Sequence, residues 1–186
     1  DKLYPRDYLL HLWKSLIENH PHDSICGCSI DQVHDNMEDR FGKIDSMAEG
    51  LLERGLDFIS AHVDRAGLDG NDYLLTLFNP ALERRAEPVE ATLRFPVEEN
   101  VAAFQILDEA GEPVPYAVLN HKRAVMRISS PINLPGSLDV DEYAVRLFAE
   151  VEGLAYRAYV VRPGAGAGLP AGSLDGRAIE NEYLAL

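Results

Sequence analysis

Thiols are scarce in this chain: Cys26 and Cys28 are the two cysteines among 186 residues. Separated by a single residue, they cannot tie distant segments together, and a bridge over so short a loop would be strained, which excludes a secreted disulfide framework. Basic residues are also few. The 17 Lys and Arg stand against 31 Asp and Glu, for a formal net charge of −14, and a chain so acidic is repelled by phosphate backbones and anionic membranes. Neither nucleic acid nor a membrane is therefore expected as a partner. No run approaches the roughly 20 apolar residues of a membrane span. The first residues, DKLYPRDYLL, lack the basic-then-apolar order of a signal peptide. With reduced thiols, these absences give a cytoplasmic expectation. There is no internal repeat.

What is present is enough apolar material for a folded core, 46% of the residues, and it is patterned in two ways. Tyr8, Leu9, Leu12, Trp13, Leu16 and Ile17 recur at helical spacing behind Pro5, which is tolerated in a first turn. This helix should end near Asn19, because Pro21 disfavours helical geometry at His20 and lacks the amide a continuing helix needs. Ser29 and Gln32 then form a capping-box pattern. The stripe Ile30, Val33, Met37, Phe41, Ile44, Ala48, Leu51, Leu52, Leu56, Ile59 and Val63 predicts a long second helix, with a bend or break near Gly50. The first helix is too short to cover it, so a further helix upstream is expected.

From Gly67 onward the period changes. YLLTLF, VEATLRF, AAFQILD, VPYAVL, AVMRIS, YAVRLFAEV and YRAYVV are short, rich in branched and aromatic residues, and separated by turn signals. They predict a β-sandwich, with DEAGEP as a hairpin connection and NHKR, which carries His121, as a polar turn. PGAGAGLPAGS reads as a flexible linker. The expected organisation is a helical domain over residues 1–66, a sandwich over 67–163, and a linker with the first strand of a following β domain over 164–186. The fold class is α+β: an antiparallel helical bundle or hairpin followed by an immunoglobulin-like β-sandwich. Asp1 is not a methionine and IENEYLAL alternates like a strand lacking neighbours, so a fragment of a longer chain is expected.

Between the two helices lies HPHDSICGC, residues 20–28, which crowds two imidazoles, a carboxylate and two thiols into one predicted loop. His20, His22, Cys26 and Cys28 are all donor types that zinc accepts, but structural sites usually draw their ligand pairs from separate segments. A redox pair usually has two intervening residues and a cysteine at a helix N-terminus. A third reading is purely structural: Cys26 and Cys28 are small buried residues flanking a Gly27 with positive φ. The fourth is that His22 and Asp23, adjacent and pointing in different directions, serve a site completed outside the chain. His11, His34 and His62 fall on predicted helices and read as packing or surface residues.

The segment LWKSLIENHPHDSICGCSIDQVHDNMEDRF resembles the signature of glycoside hydrolase family 38, the class II α-mannosidases, in which a tryptophan-bearing helix leads to His-Asp-Ala-Ile-Thr-Gly-Thr. His22, Asp23, Ile25 and Gly27 match that motif, while Ser24, Cys26 and Cys28 replace Ala and two Thr, as in bacterial members related to mannosylglycerate hydrolase. LLTLFNPALERRAEPVEATLRFP resembles the family's strand after the helical domain, and FQILDEAGEPVP, LFAEVEGLAYRAYVV and IENEY follow in the family's order. GLAYRAY lacks the Pro and Gly of the usual Pro-x-Leu-Gly-Tyr.

The resemblance implies a retaining, metal-dependent α-mannosidase as the parent protein, with mannosylglycerate or its phosphorylated form among the substrates considered. It implies His22 as a ligand to zinc or another divalent cation, and Asp23 as a substrate-binding carboxylate. The nucleophile and the acid/base would lie in an absent N-terminal catalytic domain, so no catalytic residue is assigned to this chain, which alone should be inactive. Its partners would be the mannoside, that N-terminal domain and a C-terminal β domain of the same protein; self-association is left open. The rival reading is a noncatalytic carbohydrate-binding or protein-interaction module.

Overall fold

The structure, a computed structural model, describes residues 4–65, 68–128, 134–164 and 169–170. It divides into two compact units, Asp1–Val63 and Asp64–Leu186.

The first unit is helical. Helix α1 spans Arg6–Ile17, a one-turn helix α2 spans His22–Ile25, and α3 spans Asp31–Ala61. The two long helices lie antiparallel. Asn19, just past the end of α1, reaches Met37 and Arg40 of α3, while His11, two turns back, shares a groove with Ser46 and Met47. Helix α3 runs its 31 residues without interruption, so the expected break at Gly50 does not occur. A Cβ at Gly42, Gly50 or Gly55 would meet nothing within 4 Å; these glycines only lower helix propensity, and the apolar stripe overrides them. The capping box does not form either: Ile30 is the N-cap and makes no side-chain cap, and the Ser29 hydroxyl donates to the Asp23 carbonyl instead. Among the described residues of this unit only Leu12, Asn19 and Met37 are buried, while Trp13, Ile17, Ile30, Leu52 and Phe58 are exposed. Its apolar stripe is only partly covered.

The second unit is a β-sandwich, in keeping with the α+β class expected. Strands β1 (Tyr73–Asn79), β6 (Ala155–Pro163) and β3 (Phe104–Leu107) form one sheet in the order β1-β6-β3. Strands β2 (Arg85–Pro96), β5 (Gly136–Val151), β4 (Tyr116–Ile128) and the two-residue β7 (Leu169–Pro170) form the other in the order β2-β5-β4-β7. Pairing is antiparallel apart from β4 with β7. Alternate residues of both sheets meet in one core: Leu93 and Phe95, Phe104 and Ile106, Tyr143, Val145 and Leu147, Tyr159 and Val161. The period of two that marks these strands in the sequence is the consequence of one buried face. Aromatic rings fix the centre, with Phe104 5.3 Å from Phe95 and stacked on Tyr116 at 5.1 Å.

VPYAVL and AVMRIS are one strand rather than two. The NHKR segment lies inside β4, where the register shifts between Val118 and Asn120. Its polar side chains find partners across the sheet that a turn would not supply: Lys122 pairs with Glu142 at 3.1 Å and His121 with Asp141 at 2.9 Å. The His121 ring also stacks on Tyr143 at 4.1 Å, so this histidine is a packing residue within a strand. DEAGEP does turn as expected, with the Asp108 carboxylate accepting from the amides of Ala110 and Glu112. The last stretch, IENEYLAL, lies outside the described residues, as does most of the predicted linker.

Arg162 of β6 holds Asp72, which precedes β1, through two hydrogen bonds of 3.0 and 2.7 Å. The Asp72 side chain is 2% exposed. The Arg162 hydrogen bonds, helped by the Asp69 amide, hold its carboxyl below the ordinary value against the opposing effect of burial. A carboxylate whose folded pKa is depressed adds stability that is present above its unfolded value of about 3.9 and is lost as pH falls through the folded value. Below about pH 4, the thermal midpoint of the sandwich should therefore fall. Asp72→Asn should lower the neutral-pH midpoint by several degrees and flatten that acid limb. A variant melting curve parallel to the parent's at every pH would remove Asp72 from the acid response.

Candidate functional site

Residues 20–28 form a structured corner rather than an open loop. Pro21, with φ −53° and ψ 138°, is the N-cap of α2, and its carbonyl accepts from the amides of Ser24 and Ile25. Proline fixes the entry angle at a position where its missing amide costs nothing. The exit is a Schellman turn: Gly27 at φ +82° donates to the Ser24 carbonyl at 3.2 Å, and Cys28 donates to the Asp23 carbonyl at 2.9 Å. The positive φ expected at Gly27 is thus present. The Asp23 carbonyl also accepts from Ser29 Oγ at 3.2 Å and lies 3.8 Å from Cys26 Sγ.

Cys26 and Cys28 are exposed, so the reading of them as small buried residues does not hold. The turn needs small residues for its backbone geometry and does not need them in a core.

His22 and Asp23 touch. Nε2 of His22 lies 3.2 Å from Asp23 Oδ1, with 93% and 69% of the two side chains exposed. The expectation that they diverge is corrected by this contact: both side chains are exposed on the one-turn helix α2, and they meet in solvent. His20 does something different. Its Nδ1 lies 2.7 Å from the Leu16 carbonyl; a carbonyl can only accept, so the proton is on Nδ1 and the ring closes the end of α1. His11 and His34 lie within α1 and α3, and His62 is the C-cap of α3.

Asn19 is the residue that sequence reading missed. It is fully buried, donates from Nδ2 to the Met37 carbonyl at 3.2 Å, and accepts from Arg40. Arg40 in turn lies 3.5 Å from Glu18. The clamp fixes where α1 ends against α3, and so where His22 begins. An asparagine before His-Pro reads as a helix terminator, and only the opposite helix reveals its second role. Asn19→Ala leaves Arg40 and a carbonyl without their partner and should cost about 1–3 kcal/mol. Urea unfolding of the helical signal should shift to lower concentration, and the Gly27 and Cys28 amides should exchange faster. Unchanged exchange at those amides would mean that the corner is held by other contacts.

The donor chemistry at His22 and Asp23 suits zinc, which takes imidazole nitrogen and carboxylate oxygen. The donor count does not suffice. No group of three or more His, Cys, Asp or Glu able to hold a metal occurs among the described residues. The cleft of about 570 Å³ between α1 and α3, lined by residues such as His11, Asp39 and Lys43, includes no residue of 20–28. Two exposed donors are by themselves too few to hold a zinc ion.

The fold of this chain, a helical hairpin with this corner followed by a β-sandwich, recurs in solved structures. Over 98% of its length the chain superposes on an alpha-mannosidase from Enterococcus faecalis V583, with a TM-score of 0.79 and 23% identity, spanning 23% of that protein. A glycosyl hydrolase family 38 protein from Enterococcus faecalis matches with a TM-score of 0.75 and 24% identity, again over 98% of this chain and over 24% of its own. In sequence, 64 residues are 45% identical to a Halalkalibacterium halodurans protein named "Putative mannosylglycerate hydrolase", covering 34% of this chain and 7% of that one. No family model matches. The chain therefore shares the fold of these solved proteins over nearly its whole length, and about a third of it is similar in sequence to the protein named as a hydrolase. No helix among the described residues is long and apolar enough to cross a membrane.

Proposed function

We propose that this chain is the middle helical domain and first β-sandwich of a retaining, metal-dependent α-mannosidase, and that its corner at residues 20–28 forms one wall of the shared active site. The observation that carries this reading is the outward pair His22–Asp23, contacting at 3.2 Å on an otherwise rigid turn. His22 would ligate the metal, zinc or another divalent cation, through a ring nitrogen, with the other ligands from an N-terminal catalytic domain. Asp23 would bind a sugar hydroxyl and orient the imidazole. The metal, when bound, would supply a fixed positive charge for sugar hydroxyls. The chain's own residues position and bind; the nucleophile and the acid/base belong to the N-terminal domain, so the chain alone is inactive.

Two features support a shared site. The chain spans about a quarter of the solved proteins it matches, and the apolar stripe of its helical unit is only partly covered, with Trp13 62% accessible. Such a stripe needs cover from further protein, here the rest of the same polypeptide. The substrate would be an α-mannoside, mannosylglycerate or its phosphorylated form in particular, and the protein would be cytoplasmic. The domain limits proposed are 1–66, 67–163 and 164–186.

Proton NMR of the longer protein acting on an α-mannoside tests the reaction class. The first sugar released should be the α anomer, as double displacement by two carboxylates requires. Release of the β anomer would overturn retention, and no turnover of any α-mannoside would favour the noncatalytic module.

A further inference from the structure

The function proposed above gives no task to the two thiols. Cys26 and Cys28 are free and exposed, and they flank Gly27 at φ +82°, the left-handed residue of the Schellman turn. One such residue between them folds the chain back, leaving Cα atoms on either side about 5.5 Å apart by ordinary backbone dimensions. That separation lies within the roughly 4.4–6.8 Å over which a disulfide closes. The turn itself is held by the Gly27 and Cys28 amide hydrogen bonds, of 3.2 and 2.9 Å, so the two residues stay close without being bridged. The cysteines sit at the C-terminal end of α2, so their pairing stands on proximity and access rather than on activation by a helix N-terminus.

We propose that Cys26 and Cys28 form a reversible dithiol–disulfide pair that exchanges with low-molecular-weight disulfides of the glutathione class. The thiolate of one cysteine attacks a sulfur of the small disulfide, forming a mixed disulfide and releasing one small thiolate. The thiolate of the second attacks the cysteine sulfur of that mixed disulfide, forming the Cys26–Cys28 bond and releasing the second small thiolate. The protein thiols lose two protons and two electrons, and the small disulfide becomes two thiols. A ring closed over one residue is strained, and strained, exposed disulfides are the readily reduced ones. The pair therefore reopens when the small thiol is in excess. Both cysteines lean on the Asp23 carbonyl, Cys28 through its amide and Cys26 through Sγ at 3.8 Å, so closure rearranges the turn behind His22 and Asp23. Control of catalysis through that turn rests on the function proposed above; the dithiol chemistry does not, and the test reads the chemistry alone.

The 186-residue chain is equilibrated in a series of oxidised-to-reduced glutathione ratios, quenched with acid, alkylated, and measured by intact mass and peptide mapping. The expected result is a switch between two alkylated cysteines and none, with the oxidised chain lighter by two hydrogens and free of glutathione. Cys26→Ser and Cys28→Ser should each trap a glutathione adduct on the remaining cysteine. Stable glutathione on both cysteines of the unaltered chain, disulfide-linked dimers, or two free thiols across the whole series would each overturn the pair.

Discussion

Gly153→Ala should unfold the sandwich at a temperature roughly 10 °C or more below the unaltered chain, from a loss of about 3 kcal/mol or more. Gly153 lies in the turn between β5 and β6, and a Cβ built there would sit 2.1 Å from the Leu82 carbonyl oxygen and 2.5 Å from its carbon. Both are backbone atoms, so no rotamer change can relieve the clash. Nor can the segment drift away. Asn79, buried at the end of β1, donates from Nδ2 to the carbonyls of Glu83, Val151 and Glu152 at 2.9–3.0 Å and accepts from the Ala81 amide at 3.0 Å. The Leu154 amide adds a bond to the Ala81 carbonyl at 2.8 Å. One asparagine thus stitches two loops together, and the methyl group has to break that stitch to fit. Gly50→Ala is the control: nothing lies within 4 Å of its Cβ, and removing a helix glycine should leave stability unchanged or raise it by up to about 1 kcal/mol. Urea and thermal unfolding followed by circular dichroism read both. An unchanged midpoint for Gly153→Ala would mean that the two loops are not held together as described.

The second large effect concerns His22. In the longer protein, His22→Ala should reduce metal content to a small fraction and activity by at least about a hundredfold, since even the outer partners of metal ligands cost 10- to 100-fold when removed. His22 is 93% exposed and its described protein contact is the neighbouring carboxylate, so truncation removes a ligand without opening a core. The fold should be unaffected. Asp23→Asn would be milder on metal content, because it removes charge and keeps shape; its expected signature is a raised KM for the mannoside. Loss of the helical signal in His22→Ala would make the effect one of folding and count against the ligand role.

How far the sequence foretold this structure depends on where each residue finds its partner. The stripe from Ile30 to Val63 specifies α3 because its signal is local and repeated. Gly27 was legible as a positive-φ turn because the constraint lies in one residue. His121 was not legible as a strand residue, because Asp141 and Tyr143, which accommodate it, lie about 20 positions away on β5. Asn79 and Asn19 are opaque for the same reason. Each looks like an ordinary turn or helix-end residue until the segments it clamps are folded beside it. The exposure of Cys26 and Cys28 contradicts the usual burial of free cysteine because α2 turns the corner outward. The candidate site was visible as a motif and not as a geometry, since the proposed remaining ligands lie outside these residues.

The most direct test of the central claim is metal content, by elemental analysis, beside α-mannosidase activity for three proteins: the 186-residue chain, the longer protein, and its His22→Ala variant. A shared site predicts bound metal and activity in the longer protein, neither in the isolated chain, and loss of both in the variant. Metal and activity retained in His22→Ala, or tight zinc binding by the isolated chain through its histidines and cysteines, would contradict it.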